Sequence, residues 1–326
     1  ACAVQAVVEP ASTGIGGDCF CLYAPADSPD IIAINGSGRA PQALNTELLL
    51  SQGITKIEQQ SAHSVTVPTA VDAWVQLNRD YGTMPLADLL QPAIGYADDG
   101  FPVAQRSAFD FAGCLALLKG DADASDVFLK AGQTYQMGEI LRQPALAKTL
   151  REIAEKGRAG FYEGWVADDL LAKLNGLGGL HTADDLAMAR ADYVTPISTN
   201  FRGYDIFECP PNGQGMIALL LLNMAAGMDV SDGPLSISRI HHEIEAGRLA
   251  YRDRSAYLAD PAFSAVPVDE ILDPAYADKV RAQIDPVAAF ADLPPSELPD
   301  HKSTVYISVV DKDRNACSLI NTVYHT

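Results

Sequence analysis

The chain has 326 residues, with 23 Lys and Arg against 42 Asp and Glu, a net charge of −19 and an isoelectric point near 4.5. Such a surface repels phosphate backbones and anionic lipid, which argues against nucleic acid or a membrane as partner. Apolar residues make up 48% and mean hydropathy is near zero, ordinary globular values in a chain long enough for a sizeable core in one or two domains.

The chain opens inside an apolar segment, Ala3–Val8, with no visible signal peptide, so leading residues are expected to precede it. A Gly-rich loop, Thr13–Asp18, leads into a strand at Cys19–Tyr23, a Pro/Asp turn and a second strand at Ile31–Ile34. From Thr69 to Leu186 the pattern is helical. Thr69–Tyr81 and Leu86–Asp98 each carry an apolar stripe and end near Gly82 and Gly100, and Asp184–Met188 is a short helical piece. Thr199–Cys209 reads as one strand ending at Pro210-Pro211. Asn212-Gly213 opens a helix, Gln214–Ala226, apolar on most faces and therefore buried. The longest apolar run, Gly215–Met228, is broken by Asn223 and too short to span a bilayer, so a soluble chain is expected. The next helix, Ile237–Leu258, is expected to turn Ile240, Ile244, Tyr251 and Leu258 inward and Glu245, Arg248 and Arg252 outward. Asp285–Asp300 reads as an exposed loop. The last residues form a hairpin: Thr304–Val310, a turn around Lys312–Asn315, then Ala316–Tyr324.

Several motifs invite a chemical reading and do not carry it. Gly14-Ile-Gly16-Gly17 lacks the third glycine of a dinucleotide fingerprint, which falls at Cys19, and no Walker lysine follows; a tight turn is expected. His241-His242-Glu243 lacks the spacing that sets two imidazoles on one helical face. Asn35 stands where a nucleophile elbow around Ser37 would need its first glycine. The six cysteines, Cys2, Cys19, Cys21, Cys114, Cys209 and Cys317, show no metal-binding or small-scaffold spacing and read as free buried thiols. No metal and no cofactor are expected.

In sequence order, Val7–Gly17, Ser64–Pro68, Pro92-Ala93-Ile94, Gly100–Val103, Phe161-Tyr162, Gly179, Asp184–Leu186, Pro210–Gly215, Glu245-Ala246, Asp253-Arg254, Tyr257-Leu258, Asp260-Pro261 and Thr304–Thr322 together resemble the γ-glutamyltranspeptidase family of N-terminal nucleophile hydrolases. The likeness runs through nearly the whole length. It implies an α+β fold, a four-layer αββα sandwich of the N-terminal nucleophile hydrolase type. Residues 1–303 would form a large-subunit-like segment and 304–326 the start of a small-subunit-like one, together part of one domain of a truncated chain.

The resemblance also implies autocleavage between Ser303 and Thr304, after which Thr304 is the nucleophile. A threonine hydroxyl needs a nearby base, and a freed α-amino group with a pKa of roughly 7.7–8 supplies one. Thr322 lines up with the family's second threonine, which holds that amine. A three-residue turn, Lys312–Arg314, pairs Asp311 with Asn315 and, in the same register, Thr304 with Thr322 on one face; a two-residue turn puts Thr322 on the wrong face.

Three departures stand out. The family's arginine for the glutamyl carboxylate falls at Ser37, with Arg39 two residues on as a substitute or as a surface ion-pair partner. An asparagine that holds the donor's amino group falls at Tyr324. The chain stops at Thr326, before the part that supplies the rest of the site. The implied activity is transfer of a γ-glutamyl or similar acyl group from an amide to water or an amine. A glutaryl- or cephalosporin-type acylase and an unprocessed small-molecule-binding relative are the competing readings. The implied partners are a small amide substrate and the rest of the same precursor, with a homodimer admitted. The compartment, cytoplasmic or periplasmic/secreted, stays open.

Overall fold

The computed structural model describes residues 1–229, 231–292 and 305–323. Counting strands longer than two residues, these are β1 (Asp18–Ala24), β2 (Ile32–Gly36), β3 (Asp192–Val194), β4 (Ile197–Phe201), β5 (Tyr204–Glu208), β6 (Val305–Val310) and β7 (Ala316–Thr322). Five of them form one sheet in the order β6-β7-β1-β2-β3, antiparallel throughout. The two ends of the chain therefore meet at the centre of the sheet. β1 lies between β2 and the C-terminal strand, with Asp18 opposite Thr322 and Ala24 opposite Ala316.

Alternation along β1 sorts the sheet into two faces. Cys19 and Cys21 point to the covered face, with Ile34 and Leu319, and pack on Ala70, Ala73, Trp74 and Leu77. That cover is a helix, Ala70–Tyr81, and its N-terminus is fixed by the Gly-rich loop. The carbonyl of Gly17 accepts from the backbone amides of Thr69 and Ala70 at 3.2 and 3.0 Å, groups that a helix start otherwise leaves without partners. Asp18, Phe20, Leu22, Ser318, Ile320 and Thr322 belong to the opposite face.

Two helical clusters flank the sheet. In one, Cys2–Val8, Leu86–Asp99 and Pro144–Lys156 bury Val7, Leu90, Ala93, Ile94, Ala97, Leu150 and Ile153. Leu90, Ala93, Ile94 and Ala97 follow the i, i+3, i+4, i+7 pattern read from the sequence. In the other, Gly215–Ala226 buries Met216, Ile217, Leu220 and Met224 against Leu249, Ala250 and Val280. Asn223, the polar break in that run, is buried but satisfied: its side chain donates to the Leu272 carbonyl at 2.9 Å and bonds Thr199 Oγ1.

A buried ion pair locks the helical region to the sheet. Asp72 is 2% exposed and accepts from Arg158 Nε at 2.9 Å, Gln76 Nε2 at 2.7 Å and the Ala191 amide at 2.8 Å. Arg158 donates in turn to the carbonyls of Leu186, Ala187 and Ala189.

Three expectations are corrected. The segment at 199–209 is not one strand but part of a hairpin, β4 and β5, turning at Arg202 and Gly203 with φ of 54° and 89°. Two successive left-handed residues suit the two-residue turn that matches strand twist. The helix Ile237–Tyr257 buries Glu245, Ala246, Leu249, Ala250 and Asp253, while Ile240, Ile244 and Tyr251 are 40%, 56% and 41% exposed. Small side chains allow close approach of the apolar helix, and each buried carboxylate has its own cation: Glu245 with Arg248 at 2.8 Å, Asp253 with Arg252 at 2.8 Å. The apolar segment Ala3–Val8 lies within the helix Cys2–Val8. The helical stretch to Leu186 is interrupted by two-residue strand pairs, Phe101–Pro102 with Ile140–Leu141 and Leu129–Lys130 with Gln133–Thr134. Within the expected loop at 285–300, residues 285–292 carry no helix or strand and 293–300 lie outside the described residues.

Candidate active site

The site is a row of side chains across the sheet. Asp18 sits at the start of β1, directly opposite Thr322 at the end of β7. On its other side, Cys19 pairs with Gly36, which brings Asp18 level with Ser37. Ser37 Oγ donates to Asp18 Oδ2 at 3.2 Å and the Gly38 amide donates to Oδ1 at 2.9 Å. Burial nevertheless pushes the Asp18 carboxyl above its usual range, against the pull of these two donors. Thr322, Asp18 and Ser37 thus form one file on one face, and all three line a cavity of about 470 Å³.

This approach is possible because position 17 has no side chain. A Cβ on Gly17 would lie 2.0 Å from the Thr322 carbonyl oxygen. Next to it, Asn321 is fully buried; its amide donates to Thr13 Oγ1 at 2.7 Å and to the Gly14 carbonyl at 2.9 Å. The Gly-rich loop is therefore a structural clamp on the end of β7, in agreement with the tight turn expected from the sequence, and holds Thr322 against β1.

The remaining walls come from the rest of that sheet face, from β5 and from the two helices of the second cluster. Phe20, Leu22, Ile320, Ala218 and Leu258 supply apolar surface; Glu208 and Arg254 supply charge. Burial raises the Glu208 carboxyl above its usual range. Arg254 is half-buried and donates from Nε to Gln214 Oε1 at 2.6 Å.

Ser37 also lines a second cavity of about 940 Å³ on the far side of the β2 end, with Arg39, Arg190, Asp185 and Asp260. Arg39 is exposed, makes no ion pair among the described residues, and lines this second cavity rather than the one holding Thr322. Ser303, Thr304 and Tyr324 lie outside the described residues.

Of the site residues named from the sequence, Thr322 and Ser37 are brought together, and Arg39 reaches the same neighbourhood from the second cavity. Asp18, Glu208 and Arg254 are lining residues that sequence reasoning did not single out. For Asp18 a signal existed: it precedes the strand residue Cys19 and shares strand parity with Phe20, so it falls on the face opposite Cys19. Arg254 belongs to the Asp253-Arg254 motif of the resemblance but had no role assigned to it; nothing local marks Glu208, which lines the cavity from β5. His241 and His242 are far from this chemistry; their rings bond the carbonyls of Asp285 and Ser238.

The antiparallel sheet carrying a threonine at the end of its C-terminal strand, backed by helices, defines an α+β protein of the N-terminal nucleophile hydrolase fold. A Helicobacter pylori gamma-glutamyltranspeptidase crystal structure superposes with a TM-score of 0.83 at 32% identity, covering 89% of this chain and 84% of that one. A cephalosporin acylase structure from Bacillus halodurans gives 0.89 at 35% identity, covering 99% of this chain and 60% of that one. The sequence profile of the gamma-glutamyltranspeptidase family matches residues 1–326, and the chain belongs to that family. The Glutathione hydrolase-like YwrD proenzyme of Bacillus subtilis (strain 168) is 35% identical over 326 residues, which cover 99% of this chain and 61% of the relative. The chain thus spans about three-fifths of the length of the curated relatives it matches.

Proposed function

We propose that the full-length protein is an N-terminal-threonine amidase of γ-glutamyl or similar acyl groups, made active by cleavage between Ser303 and Thr304. The observation that carries this reading is the hairpin register. Val305 lies opposite Asn321 and Val310 opposite Ala316, and the Asp311 amide bonds the Asn315 carbonyl at 3.0 Å. Carried one position further, that register would set Thr304 across from Thr322, over the cavity.

The chemistry follows from that placement. The Thr304 hydroxyl attacks the donor's amide carbonyl while its own α-amino group takes the proton. The same proton passes to the departing amine as the tetrahedral intermediate collapses to an ester on Thr304. Water or a second amine then attacks the ester, and the acyl group leaves. Before cleavage, Thr304 has an amide nitrogen, which cannot act as the base. The proenzyme naming of the Bacillus subtilis relative supports a precursor that is processed; the resemblance puts the cut before Thr304. Release of a chromogenic amine from a γ-glutamyl anilide by the full-length protein tests the activity.

Thr322 would hold the amine. Thr322→Val keeps the shape and removes the hydroxyl, so it should slow acylation by the worth of one charge-assisted bond, about 1–3 kcal/mol, or roughly 5- to 150-fold. Unchanged single-turnover kinetics in a properly cleaved variant would take Thr322 out of the site.

A second reading, an acylase for donors without an α-carboxylate, is favoured by the pair at Asp18 and Ser37. A half-buried carboxylate and a hydroxyl stand where the resemblance leads one to expect a cation, and the Bacillus halodurans relative is a cephalosporin acylase. Glutaryl amides should therefore compete well with γ-glutamyl amides. If Arg39 reaches across from the second cavity, Arg39→Ala should raise KM for γ-glutamyl donors far more than for their des-carboxy analogues. Equal effects on both donors would assign Arg39 to structure.

A further inference from the structure

Four of the six thiols gather on the covered face of the sheet, opposite the face that carries Thr322, Asp18 and Ser37. Cys19 and Cys21 on β1, Cys317 on β7, and Cys2 all pack in the cluster beneath the helix Ala70–Tyr81. Cys21 lies directly opposite Leu319 and Cys317 opposite Tyr23, so Cys21 and Cys317 are diagonal neighbours on adjacent strands. Their sulfurs are 3.5 Å apart. Among the described residues no group of three or more His, Cys, Asp or Glu side chains is placed to hold a metal ion, so the pair has no metal-binding geometry. Cys317 is half-buried, while Cys21 behind it is 1% exposed.

We infer that Cys21 and Cys317 are a redox pair whose disulfide covalently ties the chain segment before residue 304 to the strand that follows it. The consequence for two separated segments rests on the cleavage proposed above; the bridge itself does not. A bridge between β1 and β7 would cross the cut and fasten the strand that carries Thr322 to the strand that carries Asp18.

The chemistry needs an external oxidant, a small disulfide RSSR. The Cys317 thiolate attacks one sulfur of RSSR, forms a mixed disulfide and expels RS⁻. Cys21 then gives up its proton and attacks Cys317 Sγ, which breaks the mixed disulfide and expels the second RS⁻. The two expelled thiolates take up protons as RSH. Two protein thiols are oxidised, and one small disulfide is reduced to two thiols.

The order of attack follows from exposure and from the hydrogen bond between the two thiols. That bond holds the Cys317 thiol below its ordinary range and pushes Cys21 up. Burial raises the neighbours: Cys2 to about 11 and Cys209 to about 12. Cys317 is therefore both reachable and the readiest thiolate of the cluster. Closing the sulfurs to the roughly 2.05 Å of a bond requires side-chain rotation and a small strand shift.

The test is intact mass and peptide mapping of the full-length protein after exposure to 2-hydroxyethyl disulfide, which carries no γ-glutamyl group. The expected result is loss of two hydrogens, a single linked peptide joining Cys21 to Cys317, and full reversal by dithiothreitol. In cleaved protein the two segments should then migrate together without reductant and apart with it. Cys21→Ala should stop at a mixed disulfide on Cys317, and Cys317→Ala should leave position 21 unreacted; unchanged circular dichroism shows that each variant is folded. No linked peptide under excess oxidant, or a bridge mapping to Cys2 or Cys19, would overturn the proposal. Because mass also reads the bridge in an uncut chain, a missing bridge and a missing cleavage are distinguishable.

Discussion

Full-length protein carrying Thr304→Ala should stay a single chain and release no amine from a γ-glutamyl anilide above background. The wild-type protein should yield a fragment that begins Thr-Val-Tyr-Ile on N-terminal sequencing. One substitution removes two functions, because the same hydroxyl would attack the Ser303 carbonyl during cleavage and the donor carbonyl during turnover. Cleavage would also free the α-amino base, so loss of the cut alone would disable the chemistry even with the hydroxyl present. The drop in kcat/KM should reach about 10⁴-fold or more, the scale seen when an enzyme loses its nucleophile. Thr304→Ser is the control: it keeps a hydroxyl and an amine, and should cleave and turn over, more slowly. A single uncut wild-type chain that turns over γ-glutamyl amides would overturn the mechanism.

The largest expected loss of stability is at Asp72. Asp72→Ala should destabilise the protein by about 3–5 kcal/mol, read as a fall in the denaturation midpoint, because it strands a guanidinium that is mostly withdrawn from water. Arg158 is 18% exposed at its side chain and has Asp72 as its only carboxylate partner among the described residues. Asp72→Asn should cost less, since an amide oxygen can still accept from the Ala191 amide and from Gln76 Nε2, which now bond Oδ2 at 2.8 and 2.7 Å. The pair anchors Ala191, next to β3, so its loss should loosen that edge of the sheet first. Hydrogen exchange faster at 191–194 than in β1 would show this; uniform acceleration would place the effect in the whole core instead.

Much of this architecture was legible in the sequence, and the misses have physical reasons. The hairpin register at the C-terminus was readable because a three-residue turn leaves one pairing, and the structure shows Val310 opposite Ala316 as that turn requires. The helices Ala70–Tyr81 and Gly215–Ala226 were readable from apolar spacing and terminal glycines. Arg202-Gly203 was not read as a turn because the flanking residues alone have continuous strand character. The inner face of Ile237–Tyr257 was misread because the rule that large apolar residues go inward lost to close packing by Ala246 and Ala250. Glu245 and Asp253 follow them inward because each brings a cation.

The sequence by itself determined the family and fold class, through ordered motifs that resemble the family, and most helices and strands, because turn residues and apolar period act locally, over a few neighbours at a time. The resemblance pointed to Thr322, and a three-residue turn within the same hairpin sets which face it occupies. The sequence did not contain the row of Thr322, Asp18 and Ser37, the clamp of Gly17 on β7, or the 3.5 Å meeting of Cys21 and Cys317. Those depend on β7 inserting beside β1 from the other end of the chain. Such a contact is set by strand pairing across nearly three hundred residues, and only the tertiary structure decides which side chains that pairing brings face to face.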